Sequence, residues 1–254
     1  MQEKYPAEIT TEENLPAEEL ADIPQGNMTL IQHLEELRKR IIRSLIAVCV
    51  GGGICYYYVQ DIMHYLTLPA GKLYYMQPTE AFFTYIKVAI FAGFILALPI
   101  VLYQIWCFVL PALTIREKKV LLLVVPMSLI LFLGGLAFAF FLVLPAAMKF
   151  FIGFTDSTLL PMFSVSRYFG FVIAFILPFG IVFELPLIVV ILAKIGLVTS
   201  KFLIKKWRLV IFLTFVVGAV ISPTPDIFTQ CMIAFPMIFL YFSSYFIVRF
   251  ALKK

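Results

Sequence analysis

Six stretches of this chain are almost wholly apolar and carry at most one charge: 44–60, 88–115, 120–148, 168–193, 209–225 and 227–248. A helix needs about 20 apolar residues to cross a bilayer core of about 30 Å. The second, third, fourth and sixth stretches reach that length outright, and the first reaches it if the amphipathic segment before it contributes. The fifth is shorter. Residues 209–221, ahead of Ser222-Pro223-Thr224-Pro225, number 13, about 20 Å of helix at 1.5 Å per residue. That helix must begin earlier, around Ser200, or thin the bilayer locally. The fifth and sixth stretches then form a short hairpin turning at Pro223 and Pro225. With 62% hydrophobic and 14% charged residues, against about 45–50% and 25% in soluble domains, the chain has too much apolar surface to bury in a soluble fold. The expected fold is all-α and polytopic, with six transmembrane helices.

Charge fixes the orientation. Residues 1–27 hold seven acids against Lys4, a net of −6, so the rest of the chain carries +11 of the overall +5. We expect 1–27 to be an acidic, disordered cytoplasmic tail and 28–254 to be a single six-helix transmembrane domain. Fifteen Lys and Arg fall in one set of connections and termini, while the alternate set holds four, Lys72, Lys87, Lys149 and Arg167. The positive-inside rule places the first set, with both termini, in the cytoplasm. Two longer connections, about 61–86 and 149–167, then face outward. The basic residues do not interleave with exposed aromatics, so no nucleic-acid partner is expected.

Local signals place the helix starts. Thr29-Leu30-Ile31-Gln32 is a capping box, after which Leu30, Leu34, Leu37 and Ile41 recur at helical spacing. His33, Glu36, Arg40 and Arg43 share the opposite face, and Glu35–Lys39 and Glu36–Arg40 are ordinary i,i+4 pairs. Thr114-Ile115-Arg116-Glu117 is a second capping box, with an acid in the first turn to complement the helix dipole. Thr224 as N-cap, Pro225 at the first position and Asp226 in the first turn make a third start. Gly51-Gly52-Gly53 suits close helix contact or bending. Glu184 is the one acid inside an apolar stretch, where ionisation is expensive and an acid is a functional candidate by default. Its structural reading is that it satisfies the Val182 carbonyl freed by Pro186.

Four segments together carry a resemblance: His33-Leu34-Glu35-Glu36-Leu37-Arg38-Lys39-Arg40; Phe108-Val109-Leu110-Pro111 ahead of Glu117-Lys118-Lys119; Phe183-Glu184-Leu185-Pro186; and Ser222-Pro223-Thr224-Pro225-Asp226. In this order, across residues 28–250, they resemble the TatC family, the signal-receptor core of the twin-arginine protein translocase. The resemblance implies a multi-pass protein of the bacterial cytoplasmic (inner) membrane that recognises twin-arginine signal peptides of folded precursors. It further implies assembly with single-span TatA/TatB-type subunits and with other copies of itself, in membrane lipid, with transport driven by the proton-motive force. Carried over by position, Glu36, Glu117, His33, Arg38 and Arg40 form the signal-binding patch. Two carboxylates suit two guanidiniums, whose planar forks match carboxylate geometry as an ammonium does not. Glu184 corresponds to an acid lining a polar, water-accessible cavity used in transport and partner contact. Pro69, Phe108, Pro111 and Asp226 correspond to structural or partner positions.

Other classes find less support. A proton-coupled secondary transporter with Glu184 as relay normally shows paired halves and broken helices at corresponding positions, and neither is evident. An intramembrane hydrolase needs a nucleophile–base pair or two acids within a span. His33 and His64 have no ligand spacing, and Cys49, Cys55, Cys107 and Cys231 are not paired as in zinc sites. HExxH, GxSxG and phosphate-loop motifs are absent from the sequence, so we expect no enzyme, metal or cofactor.

Overall fold

The computed structural model describes residues 30–71, 73–109, 118–153, 162–222, 224 and 226–250. In chain order these form α1 (Leu30–Tyr57), α2 (Val59–Thr67), β1 (Leu73–Tyr74), α3 (Pro78–Val109), α4 (Lys118–Phe138), a π-helical turn (Ala139–Val143), α5 (Leu144–Ile152), β2 (Phe163–Ser164), α6 (Val165–Phe183), α7 (Leu185–Lys194), α8 (Ser200–Ile221) and α9 (Ile227–Phe250). By its contacts the chain divides at Lys39/Arg40, and the body from Arg40 onward holds the packed core.

Among the described residues, five segments are long and apolar enough to cross a membrane: Ile31–Tyr57, Pro78–Val109, Leu123–Ile152, Val165–Lys194 and Ile227–Phe250. The sixth span is α8. It begins at Ser200, as its short apolar run requires, and its 22 residues give about 33 Å of helix. Lys201, Lys205, Lys206 and Arg208 occupy its cytoplasmic half, which is why composition alone does not mark it as a span. Thr199 caps it, accepting from the Phe202 N–H at 3.2 Å. The preceding turn closes on Gly196, whose φ of 86° is the left-handed conformation that glycine adopts without steric cost.

Two of the long spans are interrupted for identifiable reasons. In the third, Pro145 has no N–H to offer the Phe141 carbonyl, and the helix widens through the π turn directly before it. In the fourth, Glu184 stands between α6 and α7 with Pro186 in the first turn of α7. The helix restarts at once, the Ile188 N–H donating to the Glu184 carbonyl at 3.0 Å. Such breaks survive in lipid only where neighbouring groups re-satisfy the backbone.

α6 is the central post. Phe169, Phe175 and Phe179 are its largest fully buried side chains, packed with residues of α3 and α4. Because lipid is as apolar as leucine, close van der Waals contact holds such helices together, and small residues permit it. α8 and α9 form the expected hairpin, pinned by Gln230 Nε2 donating to the Phe215 carbonyl at 2.9 Å and by the Tyr241 hydroxyl donating to the Leu203 carbonyl at 2.6 Å. On the outer side the two long connections meet: β1 and β2 pair in parallel, Leu73 opposite Phe163 and Tyr74 opposite Ser164.

Candidate functional site

The first turns of α1 carry the cytoplasmic candidates. His33 and Glu36 are half-buried and Arg38 is exposed. Glu35 and Lys39, both exposed, form the i,i+4 ion pair expected from their spacing, at 2.9 Å. Arg40 is half-buried and donates from Nη1 to Gln104 Oε1 on α3, at 3.3 Å. Phe108, near the end of α3, is half-buried. Pro111 and Glu117, with the capping box that contains Glu117, lie outside the described residues, as do Thr29 and the acidic segment 1–27.

Glu184 is buried at 7% exposure. Its side chain does not turn back to the Val182 carbonyl, as a purely kink-satisfying role would require. Ser128 of α4 instead donates its hydroxyl to Glu184 Oε1 at 2.8 Å, and Oε2 has no hydrogen-bond partner among the described residues. A buried carboxyl oxygen with no partner is costly, so its surroundings matter. It lines a cavity of about 360 Å³ between α3, α4 and the α6–α7 break, whose walls include Leu102, Trp106, Phe132 and Ile188. Ser128, Glu184 and Trp106 are the lining residues with polar side-chain atoms, and the exposed wall of the cavity is apolar, so the cavity is less polar than the resemblance implies.

Asp226 sits two residues from where the cap was expected. α9 begins at Ile227, and Asp226 itself is the N-cap: Oδ1 accepts from the Thr229 N–H at 2.8 Å, and its carbonyl takes the first helical bond, from the Gln230 N–H at 3.2 Å. The Thr229 hydroxyl adds a bond to Oδ2 at 2.6 Å and also contacts the hydroxyls of Ser222 and Thr224, at 2.9 and 3.0 Å. Burial pushes the Asp226 pKa upward, but the hydrogen bonds from threonine and backbone outweigh it and leave the carboxyl below its usual range. A depressed folded-state value means this carboxylate stabilises the fold above its unfolded value, and that contribution disappears as pH falls through the lower, folded value. Thermal unfolding in detergent between pH 6 and pH 3 checks this. Wild type is expected to exceed Asp226→Asn at pH 6, with the gap closing toward pH 3; a gap that does not depend on pH would refute it.

Glu80, in the first turn of α3, was not singled out by its sequence context. Its Oε2 accepts from the N–H groups of Met76 and Gln77, at 2.6 and 3.3 Å. Its Oε1 accepts from the Ser166 N–H at 2.9 Å and from the Ser164 hydroxyl. One carboxylate thus caps α3 and, across 84 residues of sequence, the start of α6. The Tyr168 hydroxyl adds a bond to the Leu66 carbonyl at 2.7 Å. Pro69 lies half-buried in the turn after α2, where the Ala70 N–H donates to the Thr67 carbonyl at 3.0 Å. These contacts build an outer cap on the bundle.

A family model described as Sec-independent protein translocase protein (TatC) matches residues 32–236. The chain belongs to the TatC family. It is 42% identical over 231 residues to the Sec-independent protein translocase protein TatC of Carboxydothermus hydrogenoformans, covering 89% of this chain and 95% of that one. Its identity to the Synechocystis TatC is 40% over 244 residues, covering 95% and 96%. A crystal structure titled as the twin arginine translocase receptor TatC superposes with a TM-score of 0.76 at 38% identity, covering 87% of this chain and 99% of that one. As a TatC family member the chain is a non-enzymatic, multi-pass subunit of the Sec-independent protein translocase of the inner membrane. The solute-transporter and hydrolase readings give way to that assignment.

Proposed function

We propose that this TatC family protein recognises twin-arginine signal peptides at the cytoplasmic face and nucleates assembly of the translocation complex, which the proton-motive force then drives. The observation that carries this reading is the character of α1. Within one helix of 28 residues, the cytoplasmic turns bear His33, Glu36, Arg38 and Arg40, and the remainder is a span whose apolar window is only 11% buried, against 50% for the second and fourth spans. A signal peptide has the same order of parts, with charge first and an apolar segment after it. Glu36 and Glu117 would take the two guanidiniums, and the uncovered apolar side chains of α1, such as Leu45 and Ile46, would meet the apolar segment or a TatA/TatB-type span. Photocrosslinkers placed at residue 32, exposed one turn before Glu36, and at residue 46 test this in membranes with both carboxylates kept. Both positions are expected to capture a twin-arginine precursor more strongly than its twin-lysine form; capture of the two at equal yield from residue 32 would contradict the reading.

Glu184 has a separate place in this proposal. A carboxyl with one oxygen unpartnered, in an apolar cavity at membrane depth, suits a polar side chain on an incoming TatA/TatB-type helix. Glu184→Ala is then expected to leave signal-peptide binding intact and to block precursor transport into inverted vesicles. Transport at the wild-type rate would remove Glu184 from the mechanism.

A further inference from the structure

Two of the four outer-side cations converge on one spot. Lys87 is exposed on α3, and its Nζ lies 3.8 Å from where a Cβ on Gly170 of α6 would stand. Arg167 is exposed on α6, three residues before Gly170 and therefore on the same helix face. Neither side chain has a hydrogen bond or ion pair among the described residues. Each stands directly outside an uncharged run, Lys87 before 88–115 and Arg167 before 168–193. Both charges therefore sit where hydrocarbon gives way to headgroups.

Beneath Lys87 runs an apolar groove of about 530 Å³ walled by Val48, Ile90, Phe91, Phe94, Ile173 and Leu177. Phe83 lines both this groove and the outer cleft to which Arg167 contributes, so the two cavities adjoin at its side chain. Glu80 is the acid lining that cleft, but its oxygens are held by four uncharged donors and it pairs with neither cation. The protein thus supplies two cations without an ion-pair partner among the described residues at the rim, and an apolar channel below them.

We propose that Lys87 and Arg167 hold the phosphate of an outer-leaflet phospholipid, with preference for an anionic headgroup, while one of its acyl chains lies in the groove. Charge complementarity selects this occupant. A lipid phosphate rides at the depth of the two cations, and a free anion would leave the groove unfilled.

Native mass spectrometry of the full chain, incubated in detergent with phosphatidylglycerol or phosphatidylcholine, tests the proposal. Wild type is expected to retain phosphatidylglycerol preferentially. Lys87→Gln combined with Arg167→Gln should weaken that retention roughly tenfold or more, from the loss of two interfacial charges. Ile90→Trp, which fills the groove and leaves both charges, should also lower retention, while Lys149→Gln, an outer cation away from the groove, should not. Equal retention by wild type and the double variant would overturn the proposal. Unchanged retention in Ile90→Trp would overturn it too, leaving only surface attraction. Displacement by excess inorganic phosphate would assign the site to a soluble anion, and displacement by a single-span peptide with an acidic outer end would assign it to a partner helix.

Discussion

Gly93→Val is expected to lower the unfolding midpoint in detergent by about 6–12 °C and to loosen α1 from α3. A Cβ at Gly93 would run into the Gly52 amide nitrogen and Cα and stand 2.6 Å from the Gly51 carbonyl carbon. In the other direction, a Cβ on Gly51 would stand 2.6 Å from the Gly93 carbonyl oxygen. All of these are backbone atoms, which cannot rotate aside as a side chain can, so the helices must separate. Overpacking costs typically 1–3 kcal/mol, and backbone contact puts this site at about 3 kcal/mol. At about 2–4 °C per kcal/mol for a domain of about this size, the shift follows. Gly53 is the internal control, because a Cβ there meets nothing within 4 Å. Gly53→Ala should be neutral or gain about 0.5–1 kcal/mol of helix preference. Equal midpoints for Gly93→Val and Gly53→Ala would refute the close α1–α3 contact.

Glu80→Ala is expected to open the outer cap. The substitution strands the N–H groups of Met76, Gln77 and Ser166 and the Ser164 hydroxyl at once. The pairing of β1 with β2 extends over only two residues of each strand, too little to hold the two connections by itself. Hydrogen–deuterium exchange of the Met76, Gln77 and Ser166 amides should accelerate roughly tenfold or more once charged acceptors are lost. Glu80→Gln keeps acceptor oxygen but loses the charge, and should fall between wild type and Ala. Unchanged protection at Ser166 in Glu80→Ala would show that the α6 start does not depend on this carboxylate.

Most of the architecture was legible because lipid imposes a simple rule on sequence. Uncharged length gave the six spans, and the Lys/Arg asymmetry gave their direction. Even the early start of α8 at Ser200 followed from counting apolar residues against bilayer thickness. The breaks were less legible. Pro186 signalled the interruption at Glu184, but the choice of Ser128 as partner depends on how α4 lies against α6, a tertiary fact with no local signature. The same holds for Gly93, which is one glycine in an apolar run until α1 is laid across it. Glu80 was missed because its donors come from two connections 84 residues apart, and neither shows a strand by alternation when each strand is two residues long. Asp226 was recognised as part of a helix start but placed two positions too far into the helix, since Thr224 and Asp226 are both good caps and only the register of α9 decides between them.

The central claim is that a pair of cytoplasmic carboxylates, Glu36 and Glu117, reads a pair of arginines, and binding of a labelled twin-arginine signal peptide to the full chain in lipid nanodiscs tests it most directly. Two charge-assisted bidentate pairs distinguish arginine from lysine by geometry as well as charge. The account predicts clear preference for the twin-arginine peptide over its twin-lysine form, with the preference lost when Glu36→Gln and Glu117→Gln are combined. Equal affinity for both peptides, unaffected by the double substitution, would contradict it and leave only membrane partition and general charge attraction.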